Sequence, residues 1–239
     1  MSLSVYIAAP CLDGRPFSTH VSSVVGEVAA LERFGVRCAY HSLVNFPMIG
    51  EGRNVMVRDF LASPHSHLLF WDTDCAISAG AMGQLLLSDK PVVGAIGCKK
   101  REAVGGLDDY CALHCDTQPT GNLLRLQFIS TQFLLIHRNV FVSLQVAGAG
   151  SNWFRVSDPA VGCAWTEDYY FSTLARKHGF DIWGHLGIQL THYGIKGYTA
   201  PDYAGMLLRE RLAGRVPDTV TQTASTSGVN PAASALSLP

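Results

Sequence analysis

Apolar and polar positions fall into alternating blocks along the chain. Four short runs are apolar almost throughout: "SVYIAAP" (Ser4 to Pro10), "HLLFW" (His67 to Trp71), "PVVGAIG" (Pro91 to Gly97) and "FLLIH" (Phe133 to His137). Runs of this length without polar alternation read as strands buried on both faces. "VRCAYHSLV" (Val36 to Val44) and "IQLTH" (Ile188 to His192) add two more. Between the strands, apolar residues recur at helical spacing. The spacing predicts helices from Ser18 to Phe34 ahead of Gly35, from Glu51 to Ala62 ahead of Pro64, and over "RNVFVSLQ" (Arg138 to Gln145). Two more follow, from Glu167 to His178 ahead of Gly179, and over "PDYAGMLLRERLAG", with Pro201 early and Gly214 after it. Strands alternating with helices predict an α/β domain with a Rossmann-like, mostly parallel sheet covered by helices on both faces.

The rhythm fails in two places. Residues 99–125 and the stretch from Ala147 to Trp165 are rich in Gly, Asp or Cys without a clear period, and read as excursions over a binding face that close when a ligand is present. From residue 216 the chain becomes a Ser/Thr/Ala/Pro tail that buries too little to order itself. The expected organisation is one domain over 1–215 and a disordered tail over 216–239.

Composition narrows the function. With 239 residues, 48% hydrophobic and 15% charged, the chain can bury one sizeable core. A formal charge of -1 and the absence of a Lys/Arg run exclude a broad grip on nucleic acid, while a single nucleotide still fits. No segment reaches the roughly 18 apolar residues that span a bilayer, and "MSLSVYIAAP" lacks the basic start of a signal peptide, so a soluble, cytoplasmic protein is expected. The seven cysteines are odd in number and scattered, which suits reduced thiols. Cys98, Cys111, His114 and Cys115 offer four zinc donors, but without the paired C-x-x-C spacing of a structural zinc site.

The chemistry gathers at strand ends. Asp72-Thr73-Asp74 follows the "HLLFW" strand, and in an open parallel sheet the ligand crevice lies beyond the carboxyl ends of the strands. Paired hard oxygens there suit Mg²⁺ or Mn²⁺ with positions left for phosphate oxygens. Glu167 and Asp168 fall in a first helical turn with Thr166 as N-cap. They either complement the helix dipole or present a carboxylate that accepts a proton from an attacking hydroxyl, though an acid held by a helix N-terminus is a weak base. His192 ends a strand where an imidazole would complete a carboxylate-based metal site. Arg53 and Asn54 open the second helix within reach of a phosphate or nucleobase, Lys99 and Lys100 follow "GAIGC", and Trp153 and Phe154 offer an apolar wall for a sugar ring or an ordinary core.

The order of these pieces is more specific than any one of them. "GRNVMVRDFL", "HLLFWDTDCAIS", "PVVGAIGCKKR", "STQFLLIHRNVF", "NWF", "TEDYYFSTLARKHGFDIW" and "LTHYG" together resemble the metal-dependent glycosyltransferases of the GT-A fold, especially the small, soluble, inverting type of bacteria and viruses, over roughly residues 4–200. The resemblance implies a UDP- or GDP-sugar donor, a cation (Mn²⁺ or Mg²⁺) bridging its diphosphate to the D-x-D motif, and a glycan, protein or lipid-linked acceptor. By that resemblance Asp74 and His192 ligate the metal, with Asp72 on the ribose or sugar and reaching the metal through water. Pro10, Arg53, Asn54, Thr73 and Lys99 line the donor side, Trp153 and Phe154 the acceptor side, Asp168 is the general base and Glu167 orients the acceptor hydroxyl. Gln132 and Thr166 stand where family members often have glycine. Two other classes compete: a nucleotidyltransferase making nucleotide sugars, whose Gly-rich basic phosphate loop "AAPCLDGRPFS" does not supply, and a non-catalytic nucleotide- or glycan-binding protein of the same fold.

Overall fold

The computed structural model describes residues 2–101, 106–116, 118–156, 166–194, 197–199 and 202–215. The first half runs β1 (Ser4–Cys11), α1 (Ser18–Glu32), β2 (Arg37–Val44), α2 (Ile49–Ala62), β3 (His67–Trp71), β4 (Cys75–Ile77), α3 (Ala81–Leu87) and β5 (Val92–Ala95). The second half runs β6 (Ala112–His114), β7 (Leu123–Ile129), β8 (Phe133–His137), α4 (Arg138–Val146), α5 (Glu167–Lys177), β9 (Ile182–His185), β10 (Leu190–Tyr193), β11 (Gly197–Thr199) and α6 (Tyr203–Leu212). Eight strands form the central sheet in the order β2-β1-β3-β8-β5-β9-β7-β6, and β11-β10-β4 form a second, three-stranded sheet. In the central sheet β2, β1, β3, β5, β9 and β6 run one way; β8 and β7 run against them.

The apolar runs form strands because both faces of the sheet are covered. Along β1, Tyr6 and Ala8 enter one core while Val5 and Ile7 enter the other. β3 repeats the division with Leu68 and Phe70 against Leu69 and Trp71, and β8 with Leu134 and Ile136 against Phe133 and Leu135. Period-2 geometry sends successive side chains to opposite faces, so a strand that serves two cores has no polar positions to spare. Residues of α2, α4, α5 and α6 join the first core, and residues of α1 and α3 the second. In α1 the buried positions His20, Val24, Glu27 and Leu31 follow one helical face.

Three differences from the sequence reading have physical causes. β8 is antiparallel to both of its neighbours, and a strand that is apolar throughout carries no mark of direction. "IQLTH" pairs with β4 and β11 in the small sheet and not with the central one. Part of the stretch 99–125 is ordered as a turn at Leu107–Asp109 and the antiparallel pair β6–β7, which forms the edge of the sheet. The tail 216–239 and residues 157–165 of the second irregular stretch lie outside the described residues.

Two charged side chains close helix ends from within the core. The Glu27 carboxylate accepts from Gly80 N (2.5 Å) and Met82 N (2.8 Å), capping α3, which has no local cap of its own. Arg138 lies over the Phe60 ring and donates to the carbonyl oxygens of Phe60 (2.8 Å), Leu61 (3.1 Å), Ser63 (2.6 Å) and His65 (2.7 Å), acceptors in the last turn of α2 and just past it. Arg138→Met keeps the packing over Phe60 but removes this donor from all four carbonyls, of which Phe60 O keeps Ser63 N and Oγ. It is expected to destabilise the fold by about 2–4 kcal/mol, read as a lower urea midpoint at unchanged m-value.

Candidate functional site

The ends of β1, β3 and β5 and the start of the reversed β8 meet at one edge of the central sheet. There the Asp72-Thr73-Asp74 turn is stitched to four elements. Asp72 N donates to Gln132 O (3.0 Å) just before β8, Phe17 N ahead of α1 donates to Thr73 O (3.0 Å), Thr73 Oγ1 donates to Pro10 O (3.1 Å) in β1, and Tyr193 N in β10 donates to Asp74 O (2.7 Å). Below the turn, Trp71 Nε1 donates to Cys75 O (3.0 Å), and the buried His20 places Nδ1 3.2 Å from the same carbonyl. A peptide so tied presents its carboxylates in a fixed direction.

The small sheet explains why a histidine so far along the chain arrives here. His192 pairs directly with Cys75 across β10 and β4. Its Nε2 lies 3.5 Å from Asp74 Oδ1, and its Nδ1 lies 2.9 Å from Cys98 O and 2.8 Å from Gln132 Nε2. A proton at Nε2 hydrogen-bonds Asp74; a cation at Asp74 would need the other tautomer, with the proton at Nδ1 directed to the Cys98 carbonyl and the Nε2 lone pair left for the metal. Gly97 beside this cluster has no room for a side chain, because Gln132 Oε1 fills the space.

Asp74, Cys75 and His192 are the one group of three potential donors gathered among the described residues, with donor atoms within 4.8 Å of one another. Burial first, then the neighbouring carboxylates, push the Cys75 thiol well above its ordinary value, and a soft sulfur is a poorer match than oxygen or nitrogen for Mn²⁺ or Mg²⁺. What remains is one carboxylate and one imidazole, a donor set that fits Mn²⁺ with positions open for phosphate oxygens and water. Burial alone would raise Asp74, but hydrogen bonds from His192 and Lys100 outweigh it and hold the carboxyl well below its ordinary value. Lys100 Nζ lies 2.5 Å from Asp74 Oδ2. Cys98, Cys111, His114 and Cys115 form no such group.

A cavity of about 510 Å³ opens beside the turn, walled by the loops after β1 and β2 and the start of α2; Pro10, Phe46, Arg53, Asp72, Asp74 and Glu167 are among its lining. Arg53 is the buried charge in that wall, 3% exposed. It donates Nη2 to Asp72 Oδ1 (3.0 Å) and Nε to Glu167 Oε1 (3.3 Å), while Nη1 is buried with no protein partner among the described residues. Asp72 is thus held by arginine through Oδ1 and is not part of the Asp74–Cys75–His192 donor group. Burial raises the Asp72 carboxyl despite Arg53.

Asp168 departs from expectation in a different way. Its Oδ1 accepts from Tyr169 N (2.9 Å) and contacts Thr166 Oγ1, the local capping that lowers an acid's pKa. Burial, then the Glu167 charge, outweighs that capping and raises the carboxyl to about 6. The weak base implied by a helix N-terminus is a stronger one here.

Three expected site residues are core residues. Asn54 is 2% exposed and clasps the Phe154 peptide in both directions, donating Nδ2 to Phe154 O (2.9 Å) and accepting from Phe154 N at Oδ1 (2.9 Å). Trp153 and Phe154 pack with Phe70, Phe141 and Phe171 inside the first core and present no face to a sugar. Lys99 is exposed, and its backbone N donates to Asp109 O (2.9 Å). Gln132 and Cys75 were not among the expected site residues. Gln132 was visible as a polar residue ahead of an apolar strand, but its place at the site depends on the reversal of β8.

No protein-family model matches the chain, and no curated protein matches it by sequence. Solved structures match by shape. A197 from STIV superposes with a TM-score of 0.52 at 14% identity, over 80% of this chain and 86% of that one. GalNAc-T7, in a crystal structure with UDP, GalNAc and Mn²⁺, superposes with a TM-score of 0.50 at 13% identity, over 88% of this chain and 48% of that one, so this chain spans about half its length. The chain has the GT-A-like fold of such structures.

If Asp74 and His192 form one cation site, Asp74→Ala and His192→Ala each lower Mn²⁺ affinity at least about tenfold in calorimetric titration, since even residues behind a ligand typically command that much. Cys75→Ala is expected to leave the affinity unchanged, and unaltered binding in Asp74→Ala would remove that residue from the site.

Proposed function

We propose that this chain is a single-domain, metal-dependent glycosyltransferase that moves a sugar from a nucleotide-diphosphate sugar to an acceptor hydroxyl with inversion. The observation that carries the reading is the junction of three features at one sheet edge: the Asp74–His192 pair, the arginine-walled cavity, and an acid pair split between ion pairing and proton acceptance.

The cavity has the size of a small-molecule site, and its loops supply apolar contact through Phe46 and Pro47. Arg53 Nη1 is a buried donor without a protein partner, and a phosphate or ribose oxygen entering the cavity would satisfy it. Asp74 and His192 would hold Mn²⁺, or Mg²⁺ less readily because of the imidazole. When bound, that cation supplies Lewis-acid stabilisation to the departing diphosphate. Asp168 takes the acceptor's proton as its oxygen begins to bond to the sugar, and Glu167, held in place by Arg53, orients the same hydroxyl. A UDP- or GDP-sugar donor fits the reading, as does a glycan, protein or lipid-linked acceptor. Among the described residues no helix is long and apolar enough to cross a membrane.

Asp168→Asn preserves shape and removes the proton acceptor, so the transfer rate with saturating donor is expected to fall by about 10²- to 10⁴-fold with donor affinity unchanged. In the wild type that rate rises with pH through about 6 and then levels, because Asp168 must lose its proton to act. NMR of the product should show an inverted anomeric centre. Near-normal turnover in Asp168→Asn, or a retained configuration, overturns the assignment.

A further inference from the structure

We propose that the Lys100 ammonium is a built-in occupant of the cation site at Asp74, so that a divalent cation enters by displacing it and Lys100 sets how tightly that cation binds. The inference rests on the reading of Asp74 and His192 as ligands.

Asp74 has two carboxylate oxygens, and each already has a neighbour. Oδ1 faces His192 Nε2 at 3.5 Å, and Oδ2 lies 2.5 Å from Lys100 Nζ. A dication bridging Asp74 and His192 would therefore share one carboxylate with an ammonium. At such separations like charges repel by roughly 1 kcal/mol in water and several times that where solvent is partly excluded, so the two occupants compete.

The segment that blocks the site also builds it. Cys98 holds His192 through its carbonyl oxygen, and Lys100 covers Asp74 from the same stretch of backbone. That backbone is anchored on both sides of Lys100. Cys111 N donates to Gly97 O (2.9 Å), Cys98 bridges Tyr110, Lys99 N donates to Asp109 O (2.9 Å), and the Arg101 guanidinium pairs with Asp109 Oδ1 (3.4 Å). Displacement thus requires only that the Lys100 side chain swing, with Cys98 left in place to orient the histidine. Lys100 and Asp74 are both about one-third exposed, so their pair is weak enough to yield to a dication and strong enough to tax it. Once displaced, the ammonium remains tethered beside the site, available to an anionic ligand that arrives with the cation.

The test is calorimetric titration of the full chain with Mn²⁺, without nucleotide, in wild type, Lys100→Met, Lys100→Arg, Lys99→Met and Asp74→Ala. Lys100→Met is expected to bind Mn²⁺ about two- to fivefold tighter, the range that partly exposed ion pairs command. Lys100→Arg should stay near wild type because it keeps a competing cation. Lys99→Met makes the same change in net charge without touching Asp74, and should shift affinity less than about twofold. Equal or weaker binding in Lys100→Met, or equal tightening in Lys99→Met, sinks the competition while Asp74→Ala still reports the ligand. Absence of Mn²⁺ binding in wild type, or binding unaltered in Asp74→Ala, would instead remove the ligand assignment and the competition with it.

Discussion

The site depends on a guanidinium taken out of water. Arg53 stands on α2 with its head group buried, and such a group is tolerable only where anions meet it. Asp72 meets it from the end of β3 and Glu167 from the start of α5. The pairing therefore ties the consecutive α2 and β3 to the distant α5, and it links the wall of the cavity to the turn that bears the acid pair. The arrangement is more than an ion pair between two groups, because removing either carboxylate would leave a buried positive charge short of a partner. The same logic makes the open Nη1 notable. A buried donor without a protein acceptor among the described residues is costly, and an oxygen atom of a ligand in the cavity would relieve that cost.

Charges at this edge are separated into roles by their surroundings. Asp72 and Asp74 are two residues apart, yet one is raised by burial and the other is drawn down by His192 and Lys100. An acid that stays ionised over the whole working range is suited to holding a cation. An acid locked to arginine is suited to shaping a pocket. The D-x-D pattern announces two carboxylates but does not say that they serve different partners, since that depends on which side of the turn faces α2 and which faces β10.

The alternation of strands and helices was legible because it follows from burying both faces of a sheet, a constraint written locally in every apolar run. The direction of β8 was not legible. "FLLIH" would be equally apolar in either sense, and only its two antiparallel partners reveal that its first residues, beside Gln132, lie at the functional edge. α3 escaped for a related reason: its N-terminal cap is Glu27, on another helix, so no local Ser, Thr or Asp marks its start. Asn54, Trp153 and Phe154 show the opposite failure. Amide and aromatic side chains are the usual material of sugar sites, but here an amide satisfies a buried peptide and the aromatics fill a core, uses that the residue types share.

Glu167 and Asp168 carry the division of labour furthest. They are adjacent in sequence and both sit in the first turn of α5, where the helix dipole treats them alike. Position on the helix therefore cannot distinguish them. The distinction comes from their surroundings: Arg53 pairs with Glu167 directly, while burial first, and then the Glu167 charge, raise Asp168 to about 6 against the opposing pull of Arg53. Two acids in different environments are suited to different steps of one reaction, and in this chain the arginine that pairs with one of them also lines the cavity.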